Sequence, residues 1–267
     1  MSQLILENLS YSYDQHHPVL KNITLQFDHE KTAIIGQNGA GKTTLVKLLK
    51  KLLLPTEGQI KYRQRDYREM TTAQLAKDIG LAFQNPNDQI FKNTVFNEVI
   101  FGPLNIGFSK EEAIETTKKA LEAVKLSDKG DKNPYDLSLA ERKLVSIASV
   151  LAMDTEVVIF DEPTMGQDHE GKQIIKELIT QLASQNKLVL CILHDMDFTA
   201  EVFERVIVLN EGELLMDGSP LEVFSRKDII EKAHLEQPMV YRLAQQIRLP
   251  GNILKKQDLI QTMKKLM

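Results

Sequence analysis

The stretch that decides the fold is Gly36-Gln37-Asn38-Gly39-Ala40-Gly41-Lys42-Thr43, a glycine-rich turn that ends in lysine and threonine. A compact β-branched run precedes it at 31–35, and apolar residues at helical spacing follow it at positions 45, 48, 49 and 52. The order of strand, glycine-rich loop and helix is that of a phosphate-binding loop, which predicts a nucleoside triphosphate site. A turn that merely caps a helix would explain the glycines but not the adjoining Lys42 and Thr43.

Each part of this loop has a predicted task. Glycines let the backbone wrap tightly, so that successive N–H groups and the start of the helix face the phosphates. Lys42 is expected to bridge the β and γ phosphates, and the Thr43 hydroxyl to bind Mg²⁺. The predicted phosphate-binding residues are Gly36, Gln37, Asn38, Gly39, Ala40, Gly41, Lys42, Thr43 and Thr44.

Two carboxylates follow a second apolar run, Val157-Val158-Ile159-Phe160-Asp161-Glu162. Such a run followed by two acids is commonly a strand that ends in a solvated turn. With a phosphate-binding loop upstream, however, Asp161 is predicted to hold Mg²⁺, and Glu162 to accept a proton from an attacking water molecule.

With these motifs in place, the sequence from about residue 4 to 220 resembles the ATP-binding subunits of ABC transporters. Leu137-Ser138-Leu139-Ala140-Glu141 lies where that family has its Leu-Ser-Gly-Gly-Gln signature, ahead of a helix and upstream of the two acids. The resemblance implies a P-loop NTPase core of α/β class with an antiparallel β edge sheet. It also implies that Ser138 contacts ATP bound to a second ATPase subunit.

The same resemblance assigns roles to several single residues. Gln84 corresponds to a glutamine that binds Mg²⁺ and senses the membrane partner, Asp168 to a conserved loop aspartate, and His194 to a histidine that contacts the γ-phosphate. Tyr13 fits the aromatic residue that stacks on adenine. Tyr11 is the competing candidate, although its place in an alternating strand pattern favours a packed ring.

Two stretches are similar to the ATPases of energy-coupling factor (ECF) importers, which import vitamins or transition-metal ions. The first runs from Phe83 to Phe91 and reads Asn-Pro-Asn-Asp-Gln where that group often reads Asn-Pro-Asp-Asn-Gln. The resemblance implies that a transmembrane coupling subunit docks there, with Asp88 as the first candidate for an arginine partner and Glu98 as the second. The second stretch, 238–244, is either a dimer contact or an amphipathic helix packed on its own core.

The signature departs from the family pattern in a way that predicts asymmetry. Leu139 and Ala140 replace both glycines, and Leu144 stands where the family usually has arginine. A β-carbon at each of the two glycine positions obstructs the approach of backbone N–H groups to phosphate. We therefore expect a heterodimer in which a different ATPase subunit supplies the better signature. The resemblance to ECF importers further implies a substrate-binding membrane component.

Composition limits the remaining possibilities. With 33 basic and 37 acidic residues the formal net charge is −4, which gives no reason to expect a nucleic-acid partner. The single cysteine, Cys191, lies in an apolar run and indicates a reducing compartment. No stretch is long and apolar enough to cross a bilayer. The resemblance implies a peripheral subunit on the cytoplasmic face of the membrane.

The pattern along the chain predicts three parts. Residues 1–84 and 155–220 form the NTPase core with its antiparallel sheet, residues 85–154 form an inserted helical subdomain, and residues 221–267 form a helical extension. Two other functions share the catalytic motifs: a subunit of another ABC importer or exporter, and a soluble ABC ATPase acting on DNA or ribosomes. The last lacks support, because the chain has neither a long coiled coil nor a tandem ATPase unit.

Overall fold

Two β-sheets make up the strand framework of the protein. The computed structural model describes residues 4–14 and 17–266. Within that part of the chain the strands are β1 (Leu4–Ser12), β2 (Pro18–Phe27), β3 (Lys31–Ile35), β4 (Glu57–Tyr62), β5 (Arg65–Asp66), β6 (Ile79–Ala82), β7 (Val157–Asp161), β8 (Leu188–Ile192), β9 (Arg205–Asn210) and β10 (Glu213–Gly218).

The larger sheet carries the predicted site. Its six strands have the order β10-β9-β3-β8-β7-β6. Neighbouring strands are parallel from β9 to β6, and β10 forms an antiparallel hairpin with β9. The carboxyl ends of β3, β7 and β8 therefore meet at one edge of the sheet, which brings together the segments that follow them.

The smaller sheet is antiparallel, with the order β2-β1-β4-β5. It confirms the antiparallel edge sheet that the resemblance implies. Together with the larger sheet it confirms the predicted P-loop NTPase class.

Helices cover both faces of the larger sheet. They are α1 (Lys42–Leu49), α2 (Thr72–Asp78), α3 (Val95–Ile106), α4 (Lys110–Ala123), α5 (Leu139–Leu151), α6 (His169–Ser184), α7 (Met196–Val202), α8 (Pro220–Ser225), α9 (Lys227–Lys232), α10 (Met239–Gln246) and α11 (Lys256–Leu266). None of the helices in the described ranges is long and apolar enough to cross a membrane.

The central strands are apolar throughout because each of their faces packs against a separate core. In β3, Ala33 and Ile35 belong to the cluster that includes the side chains of α5 and α6, whereas Ile34 belongs to the cluster with α1 and the antiparallel sheet. Side chains alternate between the faces of a strand, so a run of buried residues fills both cores. Cys191 in β8 is fully buried in the first cluster.

The segment between β6 and β7 contains α3, α4 and α5, which contact one another closely. Ser109 caps α4 and Ser138 caps α5, each paired with a glutamate three residues later. These helices agree with the helical spacing read from the sequence. The boundaries 85–154 for a subdomain and 221–267 for an extension remain a proposal.

Candidate nucleotide-binding and hydrolysis site

The glycine-rich loop turns sharply between β3 and α1. Gly41 has φ +99°, and a β-carbon there would lie 2.7 Å from the Leu20 side chain. At Gly36 a β-carbon would lie 2.3 Å from the carbonyl oxygen of Leu209. Glycine is therefore required at both positions, one by conformation and one by the close approach of β9.

Lys42 begins α1 and its side chain turns back over the loop. Its Nζ donates hydrogen bonds to the carbonyl oxygens of Gly36, at 2.7 Å, and Gln37, at 2.9 Å. Burial lowers the pKa of this lysine, while the charges of Glu162 and Asp161 oppose the shift. An ammonium group is thus held among the loop, the two acids and the start of the helix, with Thr43 exposed beside it.

Asp161 ends β7 and is almost fully buried. Burial, followed by the neighbouring charge of Glu162, raises the pKa of its carboxyl group to about 6. Its Oδ1 atom is buried without a hydrogen-bond partner in the part of the chain that the structure describes. A buried carboxylate oxygen in that state fits a cation as its partner.

Glu162 faces His194, which follows the end of β8. Their Oε1 and Nε2 atoms are 3.0 Å apart. Hydrogen bonds from His194, first, and also from Gln84 lower the pKa of Glu162, against the opposing effect of burial. The structure therefore brings together three predicted catalytic residues that lie far apart in the sequence, and it keeps the Glu162 carboxylate ionised near neutral pH.

An open cavity of about 850 Å³ adjoins these groups. Asn38 of the loop, Gln84, Glu162 and His194 line one side of it, and residues 234–237 with Met239 and Arg242 line the other. The helical extension thus forms a wall of the cavity that holds the predicted base.

Tyr13 and Tyr11 differ in the way that their strand positions predict. The ring of Tyr13 is 60% exposed, and its hydroxyl lies 3.4 Å from Oγ1 of Thr44. Tyr11 is buried and packs edge-on against Tyr13, with 4.9 Å between the ring centroids. Tyr13 is accordingly the one with a free aromatic face beside the loop.

The side chains of Ser138 and Asp168 make hydrogen bonds at the starts of the helices that they cap. Ser138 Oγ donates to Oε2 of Glu141 at 2.8 Å, and it accepts from the Glu141 amide at 3.2 Å. Asp168 caps α6 by accepting from the Gly171 amide at 2.8 Å. In the described residues no hydrogen bond joins either side chain to the loop or to Glu162.

The two acids considered for docking occupy different environments. Asp88 is exposed and accepts a hydrogen bond from the Asn85 side chain at 3.2 Å. Glu98 is only 3% exposed, and its Oε2 accepts the backbone N–H groups of Phe91 and Lys92 at 3.0 and 2.8 Å. The expectation that Glu98 could serve as a second surface carboxylate is therefore not supported, because Glu98 orders the loop from beneath.

Comparison with known proteins identifies the family. The sequence profile described as "ABC transporter" matches residues 20–165, which is more than half of the chain. The chain belongs to the ABC transporter ATP-binding family.

The relatives of this ABC ATPase include proteins named for energy-coupling factor transport. This chain is 41% identical over 237 residues to a putative ABC transporter ATP-binding protein of Pyrococcus furiosus, and the alignment covers 89% of this chain and 90% of that protein. It is 38% identical to the energy-coupling factor transporter ATP-binding protein EcfA of Methanothermobacter thermautotrophicus, covering 92% and 80%. With EcfA1 of Halalkalibacterium halodurans the identity is 36%, covering 97% and 96%. The chain is an ABC ATPase of ECF type.

Solved structures agree with this. The chain matches cbiO1 of Clostridium perfringens, part of the ABC transporter complex cbiONQ, with a TM-score of 0.77 and 31% identity, covering 92% of this chain and 99% of that one. A dimeric ATP-binding cassette bound to ADP and Pi matches with a TM-score of 0.74 and 26% identity, covering 81% and 98%. ATP binding and hydrolysis follow from this membership.

One buried residue beside the site of this ABC ATPase was missed by sequence reasoning. Lys143 lies on α5 between Arg142 and Leu144, and its side chain reaches the carbonyl oxygen of Asp161. The signal was available, because a lysine at this position falls on the face of α5 that the surrounding apolar spacing predicts to be buried.

Proposed function

We propose that this ATPase energises an ECF-type ABC importer of a vitamin or a transition-metal ion. The observation that carries the proposal is the similarity to EcfA proteins over more than 90% of the chain, together with the grouping of Lys42, Asp161, Glu162 and His194 at one sheet edge. The import cargo is selected elsewhere, because these residues recognise a triphosphate and not a vitamin or metal ion.

In the proposed reaction ATP binds across the glycine-rich loop with its adenine ring on the exposed face of Tyr13. Backbone N–H groups of the loop and the ammonium of Lys42 hold the phosphates, which supply the anionic partner that the buried cation needs. Glu162 takes a proton from the attacking water molecule. His194 supports the same step from 3.0 Å away, by holding the Glu162 carboxylate and facing the γ-phosphate.

Mg²⁺ fits the acidic side of this site. Among the described residues no three His, Cys, Asp or Glu side chains form a group that could hold a metal ion unaided. Mg²⁺ characteristically binds one or two carboxylates together with substrate phosphates, and it keeps several water molecules. We propose that Asp161 is the carboxylate, that Thr43 and Gln84 add neutral oxygens, and that the bound ion neutralises charge on the phosphates. The unpartnered Oδ1 atom of Asp161 supports this role.

A second ATPase subunit completes the proposed assembly. Its signature would cover ATP held by Lys42, while Ser138 of this chain would cover ATP held by the partner, with Asp168 lying near the contact. Leu139 is half exposed at the start of α5, and side chains at 139 and 140 hinder phosphate approach. These features support a heterodimer in which one composite ATP site hydrolyses ATP well and the other hydrolyses it poorly.

The membrane partner is proposed to dock over residues 84–91, on the cytoplasmic face of the membrane. Asp88 is the acid offered to an arginine of the coupling subunit. The neighbouring Asn87 is already engaged, since its Oδ1 accepts from Arg142 at 2.8 Å. At the end of this segment Phe91 is 59% exposed and packs edge-on against Phe101, which gives an apolar surface suited to a membrane-protein contact.

The test is to tag this chain in its own cells, extract the membranes with detergent and identify copurifying proteins by mass spectrometry. The proposal expects a second ATPase subunit, a transmembrane coupling subunit and a small substrate-binding membrane protein. Asp88→Asn should weaken recovery of the coupling subunit, whereas Asp128→Asn, a matched change of an acid outside the docking segment, should not.

Other outcomes would contradict the proposal. Recovery with ribosomes or DNA-bound proteins would indicate a soluble ABC ATPase, and recovery with an extracellular solute-binding protein would indicate another importer class. Unchanged recovery and transport after Asp88→Asn would remove Asp88 from the docking role.

A further inference from the structure

Lys143 lies in the middle of three segments that carry site residues. It is 2% exposed, and its Nζ donates to the carbonyl oxygens of Phe83 at 2.7 Å, Gln84 at 2.8 Å and Asp161 at 2.8 Å. An ammonium group has three N–H donors, so all of them are satisfied by backbone acceptors. No carboxylate oxygen takes part in these bonds.

One of these bonds fixes the peptide that precedes the proposed base. The carbonyl oxygen of Asp161 belongs to the same peptide group as the N–H of Glu162, and that N–H donates to the Ile192 carbonyl at 3.1 Å. The peptide is therefore held at both ends, by α5 on one side and by β8 on the other. Glu162 itself has φ +48°, a left-handed conformation that is unfavourable for a non-glycine residue and needs such support.

The other two bonds hold the backbone on either side of Gln84. The same segment is also tied to α5 by Gln89, whose Oε1 accepts from the Phe83 amide at 3.1 Å and whose Nε2 donates to the Ser146 carbonyl at 2.9 Å. Lys143 and Ser146 are one turn apart on α5. Hence one face of α5 holds both the segment of Gln84 and the peptide before Glu162.

We propose that Lys143 is a positioning residue for ATP hydrolysis, whose ammonium fixes the peptide before Glu162 and the backbone around Gln84 in one arrangement. The inference rests on the proposed role of Glu162 as the base. Because Ser138 caps the same helix, a displacement of α5 that starts at the signature moves the Lys143 ammonium and disturbs the orientation of Glu162. The proposal thus gives a physical route from the helical segment to the hydrolytic step.

Lys143→Met is the direct test, because it keeps the length of the side chain and removes its donors. In the assembled complex we expect kcat for ATP hydrolysis to fall about 10- to 100-fold, the scale of a misplaced catalytic group. KM and the affinity for ATP, measured by calorimetry, should stay within about twofold. Lys143→Arg, which retains charge and donors, should recover most of the lost rate.

Lys187→Met is the matched control. Lys187 is also buried, and its Nζ donates to the carbonyl oxygens of Asp154 and Thr155, at 2.9 and 2.8 Å, at the opposite end of the sheet from the site. It also pairs with the Asp154 carboxylate. This variant should lower the thermal unfolding temperature without lowering kcat of the folded fraction.

A double-mutant cycle separates positioning from a general loss of stability. If Lys143 acts through Glu162, adding Lys143→Met to Glu162→Gln should change the residual single-turnover rate by less than about twofold. Equal losses of kcat and ATP affinity, additive losses in the cycle, or a kcat equal to that of Lys187→Met would each overturn the proposal.

Two further outcomes keep the test decisive. If Lys143→Met does not fold, Lys143→Gln replaces it in the test, because glutamine retains two N–H donors. Lys143→Gln must then lower kcat without changing the affinity for ATP, by a smaller factor than is expected for Lys143→Met. If Glu162→Gln by itself leaves turnover unchanged, the assignment of the base fails and the role of Lys143 fails with it. If Glu162→Gln abolishes turnover and Lys143→Met does not slow it, only the inference about Lys143 fails.

Discussion

The glycine-rich loop around Lys42 and the signature around Ser138 differ in whether their polar atoms are available to a ligand. At the loop site Thr43 is exposed and Asp161 keeps an oxygen atom without a partner among the described residues. At the signature both the hydroxyl and the amide of Ser138 bond to Glu141. Glu141 also pairs with Lys129, the first of the hydrogen bonds that lower the pKa of Glu141 to about 2.

This difference separates a region arranged for a ligand from one satisfied by its own chain. A buried polar atom without a partner, such as Oδ1 of Asp161, costs free energy unless something binds it, whereas the Ser138 hydroxyl is already hydrogen-bonded. Leu139 and Ala140 add bulk where close backbone approach would be required. The contrast leads us to expect that the two composite ATP sites of a heterodimer contribute unequally to turnover.

The most damaging change should be Lys42→Ala. It removes a buried cation that we propose faces the phosphates, so ATP binding should be abolished or greatly weakened, and turnover with it. Calorimetry with ATP measures the loss. Lys47→Ala, on the same helix but outside the loop, is the control and should bind ATP normally. If Lys42→Ala retained its affinity for ATP, Lys42 would not have its assigned role. The contrast between the glycine-rich loop and the signature would then be weaker.

Glu162→Gln should preserve ATP binding while hydrolysis falls by about 10²- to 10⁴-fold, the usual contribution of a positioned general base. The amide keeps the shape of the side chain but does not accept the proton. Phosphate release from the assembled complex provides the measurement, with Glu236→Gln as a control because Glu236 lines the same cavity. A rate near that of the unmodified complex would show that the base lies elsewhere.

His194→Ala should reduce turnover by at least about tenfold with a smaller effect on binding. Loss of its hydrogen bond removes the largest influence that lowers the pKa of Glu162, so that pKa should rise. Because Glu162 acts when ionised, the acidic limb of the pH–rate profile should then move to higher pH. His234→Ala, at another wall of the cavity, should leave the profile in place. Parallel losses of binding and turnover would instead indicate a structural histidine.

Ser138→Arg should have the smallest effect, with turnover within about twofold of the unmodified complex, since it damages the composite site that we expect to be poor. Ser109→Arg is matched to it, because Ser109 caps α4 through the same pairing with a glutamate three residues later. Both changes should cost about 1 kcal/mol of stability through the lost cap. If Ser138→Arg silences the complex as fully as Glu162→Gln, the signature is functional and the asymmetry is wrong.

A homodimer would also remove the basis of the asymmetry, because both sites would then share the same obstructed signature. The native mass of the purified complex tests this point independently of any variant.

Much of the fold could be predicted because its signals are local. The central strands are short apolar runs, the loop is a fixed motif, and the hairpin of β9 and β10 has a glycine turn. The helix α2 was missed, because its seven residues lie in a polar stretch without strong periodicity. Its start was nevertheless marked by Thr71 and Gln74, which form a reciprocal cap.

Site residues could be predicted where they belong to a sequence motif. They could not be predicted where their role depends on contacts with residues far away in the sequence. The environment of Glu98 depends on a loop that folds over it, and the contacts of Lys143 join parts of the chain 18 and about 60 residues away. No pattern in a single sequence encodes those approaches. By contrast, the choice of Tyr13 over Tyr11 rested on the place of Tyr11 within a strand pattern, and the exposure of the two rings agrees with it.

Because Cys191 is buried, thiol reagents should not label the folded, unmodified chain. It is the sole cysteine of the sequence, it is fully enclosed in β8, and burial raises the pKa of its thiol well above the usual value. Alkylating reagents therefore meet no reactive native sulfur in the folded protein. A fluorophore or spin label on Leu139→Cys would report the approach of a neighbouring subunit directly, without prior removal of the native cysteine.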